Sequence, residues 1–137
     1  MYFETSRLIL RKPETTDIDE YLEFVNSEFV QRYNAMTPVT REKAEAEFSS
    51  AAEDLSTIAV ELKATGKIIG IISIQEDSIR YGVESREISY LLRESEARKG
   101  YMKEALSTLE WASLRLVSYL LLTAFASMMA NLLTMML

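Results

Sequence analysis

Apolar and polar positions change their spacing several times along the chain, and each change marks an element. In "SRLILRK" (residues 6–12), Leu8 and Leu10 alternate with polar neighbours, which predicts a strand, and Pro13 stops it. Ile18, Tyr21, Leu22, Phe24 and Val25 then recur at helical spacing, with Thr16 as the expected N-cap and Asp19 in the capping-box position. A second helix is expected within "MTPVTREKAEAEFSSAAEDL", capped by Thr40 and built from Glu and Ala, both good helix formers. The period then drops to two. In "STIAVEL", Ile58, Val60 and Leu62 alternate with Thr57, Ala59 and Glu61, and "ATGK" (Ala64 to Lys67) reads as a turn. "IIGIISI" is almost uniformly apolar, as a strand buried on both faces would be. "REISYLL" (Arg86 to Leu92) predicts the next strand. Gly100 opens a helix to about Leu116, with Ala105, Leu109, Ala112 and Leu116 on one face. A strand "SYLLLTAF" and a short helix "ANLLTMML" close the order β-α-α-β-β-β-α-β-α. The pattern predicts one α+β domain over residues 1–137 with a mixed sheet.

Composition narrows what such a domain can do. The chain has 137 residues, enough for one domain with a real core. Its net charge of −6 argues against a nucleic-acid binder and mildly favours a cationic or amine-bearing partner. It contains no cysteine, which excludes disulfides and thiolate chemistry. The absence of histidine excludes a Ser-His-Asp triad and the usual His-based zinc site, so any base is Glu, Asp, Tyr or water. No metal is expected. The N-terminus has no basic-then-apolar signal pattern, so a cytoplasmic location is expected. The uncharged run from Leu116 to Leu137 is long enough to span a bilayer, which takes about 20 apolar residues. A tail-anchored membrane protein is the reading this raises. Against it stand Ser118, Thr123, Ser127, Asn131 and Thr134, and the run's division into a strand-like and a helix-like half.

The candidate chemistry lies in "RESEARKGYMKEAL", Arg93 to Leu106, where Arg93, Arg98, Lys99 and Lys103 surround Gly100 in an otherwise acidic chain. A helix N-terminus offers free N–H groups and a partial positive charge, and glycine lets an anion reach the main chain. The segment is therefore either a phosphate cradle or an exposed loop whose charges only solvate it.

Four stretches carry a resemblance: "ETSRLILRKPETTDIDEYLEFVNS", "ATGKIIGIISI", "REISYLLRESEARKGYMKEALSTLEWA" and "ANLLTMML". In that order, and over nearly the whole length, the chain resembles the GNAT superfamily of acyl-CoA-dependent N-acetyltransferases, particularly the branch similar to ribosomal-protein N-terminal acetyltransferases. The resemblance implies a GNAT fold with acetyl-CoA as co-substrate. In the family the turn reads Arg/Gln-x-x-Gly-x-Gly/Ala, and its amides hold the CoA pyrophosphate. Here the turn is Ala97 to Met102, followed by Glu104-Ala105, and Gly100 matches. Ala97 departs, losing a phosphate contact that Arg98 would replace, and Met102 either crowds the ligand or turns into the core. The implied cofactor-binding set is Arg98, Lys99, Gly100, Tyr101, Met102 and Lys103 around the phosphates. Backbone groups of Leu91, Leu92 and Arg93 would line the pantetheine arm, running between "REISYLL" and "SYLLLTAF". Asn131 and Thr134 occupy the places of an Asn-x-x-Ser motif that contacts the arm and lies near the thiol. Read without the family, Asn131 is a helix N-cap and Thr134 a hydroxyl bonded to its own helix.

Glu87 is the expected general base, beside the cleft; the plain alternative is a solvent-facing carboxylate. Strand alternation sets Glu87, Ser89 and Leu91 against Ile88, Tyr90 and Leu92, so only one set faces the cleft. Tyr90 is expected to be a core aromatic rather than an acid. The family continues with two further strands, so a C-terminally shortened form is expected, with "SYLLLTAF" or the last helix packed on another copy as a homo-oligomer. The function expected is acetyl transfer from acetyl-CoA to a primary amine such as a protein N-terminus, impaired by the shortened end. The alternative within the fold is an acyl-CoA-binding or assembly module without turnover.

Overall fold

Leucines and isoleucines on alternate strand positions need cover on both sides of a sheet, and the chain supplies helices for it. The computed structural model describes residues 3–34, 37–54, 56–76, 86–110 and 112. The strands are β1 (Phe3–Glu4), β2 (Leu8–Arg11), β3 (Thr57–Leu62), β4 (Lys67–Glu76) and β5 (Arg86–Leu92). Between β2 and β3 lie α1 (Ile18–Val25), α2 (Glu28–Asn34) and α3 (Arg41–Asp54). Helix α4, residues 101–110, follows β5. The sheet runs β1-β2-β3-β4-β5, every pairing among the described residues is antiparallel, and with its helices it forms the expected α+β fold. Residues through Ala105 form one compact unit and those from Leu106 a second. The strand expected at "SYLLLTAF", the helix at "ANLLTMML", the copy-to-copy packing expected of them, and the end of the helix near Leu116 lie outside the described residues. Among the described residues no helix is long and apolar enough to cross a membrane.

The expectation for "IIGIISI" holds: Ile68, Ile69, Ile71 and Ile72 are all buried. Ile68 and Ile71 share one core with Ala59 and with α1 to α3, although they are three positions apart. A plain strand would send them to opposite faces. The register shift opposite Val60 and Glu61 inserts one residue and brings both to the same side. Gly70 follows the bulge. A Cβ there would lie 2.5 Å from the Leu91 carbonyl oxygen, so a side chain at this position would force β5 away from β4.

The first helix begins differently from the expectation. Thr16 is exposed and lies in a 3-10 turn (Thr15–Asp17) ahead of α1, where Glu14 is the N-cap and Asp17 completes a capping box, its Oδ2 accepting the Glu14 N–H at 2.8 Å. Arg11 bonds the same carboxylate, its two terminal nitrogens donating to both Asp17 oxygens at 2.7 and 2.8 Å. Asp19 pairs with Arg41. Thr40 caps α3 as expected, its Oγ1 accepting the Lys43 N–H at 3.3 Å. Helix α2 was not expected. Asn26 ends α1 by exchanging two hydrogen bonds with Val39, at 2.8 and 2.9 Å, and the chain restarts as a helix beyond Ser27.

Candidate functional site

The segment after β5 turns twice before it becomes a helix. Arg93 N–H donates to Ile69 O at 2.7 Å, Glu96 N–H to Arg93 O and Ala97 N–H to Glu94 O, both at 3.0 Å. The next such donor is Glu104, whose N–H reaches Gly100 O at 3.1 Å. Between them, no hydrogen bond from the N–H groups of residues 98–102 is found among the described residues. The backbone there alternates in sign, with φ +63° at Arg98, a negative φ at Lys99 and φ +81° at Gly100. Alternation of this kind turns successive N–H groups toward one concave side, an anion-binding nest at the positive end of α4. Gly100 suits its place because an L side chain resists that φ.

The four basic residues divide into two kinds. Arg93 is committed: Nη1 pairs with Glu23 Oε1 at 2.8 Å, the guanidinium lies 5.7 Å from the Phe24 ring centre, and its amide is used by Ile69. Lys99 Nζ pairs with Glu96 at 2.9 Å. Arg98 and Lys103 are exposed beside the nest. Met102 turns into the core, 9% exposed, so it does not crowd the concave side.

A clasp reaches this turn from the other end of the chain. Glu104 accepts hydrogen bonds from Thr5 Oγ1, from Ser6 Oγ at 3.0 Å, and from Arg7 through its backbone N–H at 3.1 Å and Nε at 2.7 Å. Arg7 Nη1 also donates to Lys99 O at 3.0 Å, and its guanidinium lies 4.5 Å from the Tyr101 ring centre. The loop between β1 and β2 thus fixes the carbonyl side of the turn while leaving its amides open. Burial works against the Glu104 charge, but the bonds from Thr5, Arg7 and Ser6 outweigh it and hold the pKa at about 2. A lowered carboxylate pKa gives stability that is complete above the unfolded value of about 4.3 and lost as pH falls toward the folded value. In urea unfolding, the stability gap between the wild type and Glu104→Gln is expected to widen from about pH 2 to pH 5 and then stay level. A gap independent of pH would contradict this.

Beside β5 lies a cavity of about 480 Å³, in the size range of small-ligand sites. Tyr21, Glu47 and Ser50 reach it from the helices, and Ser73, Ser89 and Leu91 from the sheet. Ser89 and Leu91, which share one face of β5 by alternation, line this cavity, and so does their neighbour Tyr90. Glu87 belongs to the same side, opposite Gln75 at the strand's outer end, and is exposed. Tyr90, expected in the core, is instead 52% exposed, as Ile88 is at 51%. Because Arg93 pairs with β4, alternate residues Leu92 and Tyr90 turn their main-chain groups to the outer edge of β5. No described strand covers that edge. Asn131 and Thr134 lie outside the described residues. Among the described residues no group of His, Cys, Asp or Glu could hold a metal ion.

A protein-family model for the acetyltransferase (GNAT) domain matches residues 7–127. No curated protein matches the sequence. Among solved structures, a GNAT-family acetyltransferase from Bacillus anthracis is similar with TM-score 0.70 and 22% identity, covering 85% of this chain and 68% of that one. A ribosomal-protein alanine acetyltransferase from Vibrio fischeri is similar with TM-score 0.58 and 18% identity, over 81% of this chain and 66% of that one. A spermidine N-acetyltransferase from Vibrio cholerae, in complex with CoA and spermine, is similar with TM-score 0.60 and 19% identity, over 77% and 62%. At these identities the neighbours establish the fold alone.

Proposed function

The chain belongs to the GNAT acetyltransferase family, and from that premise we propose that it carries an acetyl group from acetyl-CoA to a primary amine, with a protein N-terminus as one form of acceptor. The observation that carries this reading is the row of inward-turned amides at residues 98–102, set at the mouth of α4 next to the edge of β5 that no described strand covers. A diphosphate fits the nest: N–H groups supply directed donors, and exposed Arg98 and Lys103 add charge. The Tyr101 ring and the Lys99 carbonyl would keep the turn in shape through Arg7, while the amides of both residues remain part of the nest. The outward main-chain groups of Leu92 would pair with the pantetheine arm as a neighbouring strand would. Leu91 pairs with Ile71 on the β4 side and the Arg93 amide is already used, so neither contributes its N–H to that pairing.

When bound, the thioester supplies an activated acyl carbon and a thiol leaving group. The residues of this chain would do the rest. Ser73 and Ser89 give the incoming amine a polar wall, and Glu87 or a water takes the proton the amine must shed. Asn131 and Thr134 complete the proposed set at the arm and the thiol.

Calorimetric titration with CoA tests the cradle, and release of free thiol from acetyl-CoA in the presence of n-butylamine tests the transfer. Saturable heat together with amine-dependent thiol is the expected result. Saturable heat with no thiol for any amine would leave an acyl-CoA-binding module of the same fold. No heat at millimolar CoA would end the reading.

A further inference from the structure

The charge on the cavity wall is one-sided. Among the described lining residues Glu47 is the charged one, and the other polar groups are hydroxyls and the Gln75 amide; no Lys or Arg lines it. Such a wall repels carboxylates and phosphates and favours a cation. Glu47 is also held in place. Tyr21 O–H donates to Oε2 at 3.2 Å, and the Tyr21 ring is fixed by Phe48, 5.0 Å between centres, and edge-on by Phe24 at 5.7 Å. Tyr21 is 4% exposed, and burial followed by the nearby Glu47 charge pushes its pKa up, so the phenol stays a donor at neutral pH. The second oxygen, Oε1, has a loose partner among the described residues in Lys43 Nζ, 3.8 Å away and exposed, one helical turn back. Exposed pairs of that kind contribute little and give way to a better-placed cation.

Position decides what Glu47 could do. It stands on the α3 wall, whereas the edge where an acyl group would arrive belongs to β5, with Ser73 and Ser89 between them on the sheet. A base must lie within hydrogen-bond reach of the proton it removes, so a carboxylate on the helix wall is badly placed for the reacting nitrogen. It is well placed for a different charge on the same molecule. Resting on the acetyltransferase reading above, we propose that Glu47, oriented by Tyr21, anchors a second, non-reacting positive charge, so that the acceptor class is a small molecule with two separated amines.

The test uses the whole chain and three probes of equal length: 1,4-diaminobutane, n-butylamine and 1,4-butanediol. Binding is followed by backbone amide shifts at residues 47, 50, 73 and 89, which needs no turnover. The diamine is expected to bind saturably and about 2- to 5-fold more tightly than the monoamine, the range for an ion pair at a partly exposed carboxylate. The diol should give no saturable shift. Glu47→Gln should abolish the preference, Glu47→Asp should restore part of it, and Lys43→Ala should tighten the diamine. Acetyl-CoA titration should be the same in all of them. Equal affinity for diamine and monoamine, no saturable diamine shift, or a preference that survives in Glu47→Gln would each overturn the proposal. Failure of acetyl-CoA to bind would instead remove the acetyltransferase reading, since the diamine titration is measured separately.

Discussion

Replacing Arg11 by methionine is expected to lower the unfolding free energy by about 3–5 kcal/mol, the range for leaving buried charge without its partner. Arg11 donates from Nε to Glu61 at 2.6 Å and from both terminal nitrogens to Asp17. Side-chain exposures are 16% for Arg11, 8% for Asp17 and 16% for Glu61. The bond to Asp17 is the largest influence raising the Arg11 pKa, so the guanidinium stays charged at any working pH. Removing it leaves two carboxylates in a site with little water. The network also touches the turn ahead of α1, because the Asp17 carboxylate bonded by Arg11 also accepts the Glu14 N–H. Urea unfolding followed by far-ultraviolet circular dichroism reads the loss. Combining Arg11→Met with Asp17→Asn and Glu61→Gln should recover more than half of it, since the cost lies in the stranded charges. A single-variant loss under about 1 kcal/mol would place the pair with ordinary surface bridges and refute the account.

The second large effect is on ligand binding. Gly100→Ala is expected to weaken CoA at least about tenfold, because losing even one charge-assisted bond from the main chain corresponds to roughly 1.5–3 kcal/mol. The new methyl group itself meets no obstacle; the nearest atom is Arg7 Nη2 at 3.6 Å. The effect comes from φ +81°, which an L residue adopts at a cost of about 1–2 kcal/mol, so the turn relaxes and its amides swing away. Gly66 supplies the control. It has φ +66° in the turn between β3 and β4, and a Cβ there meets nothing within 4 Å. Gly66→Ala should lower stability comparably and leave CoA affinity unchanged. If both variants bind CoA like the wild type, the nest does not hold the ligand.

What could be read from the sequence was whatever depends on near neighbours. The uniformly apolar β4, the Thr40 cap and the glycine turn before α4 each express a preference within a few residues, and the structure repeats them. Where a distant partner decides, the reading shifted. The capping box formed between Glu14 and Asp17 rather than from Thr16 to Asp19, with Arg11, six positions before Asp17, bonded to the Asp17 carboxylate. Tyr90 fits a core strand by period, but period alone does not say which face is covered, and this one is half-exposed. Helix α2 is seven residues long, too short for a stripe to stand out from its flanks. Arg7 and Thr5 carry no local signal for their part in the turn. Glu47 sits in "REKAEAEF" among other glutamates, and only the folded α3 shows which of them lines a cavity.

The bonds from Arg7 to Glu104 join residues 97 apart in sequence. Bringing such distant points together costs closure entropy, recovered only when the intervening sheet is assembled. The turn at Gly100 is therefore no autonomous minidomain, and its completion waits on the global topology of the chain. Any compound gripping it should raise the midpoint of complete unfolding rather than quench a local fluctuation, and a nascent polypeptide should gain affinity only after its beginning has met residue 104.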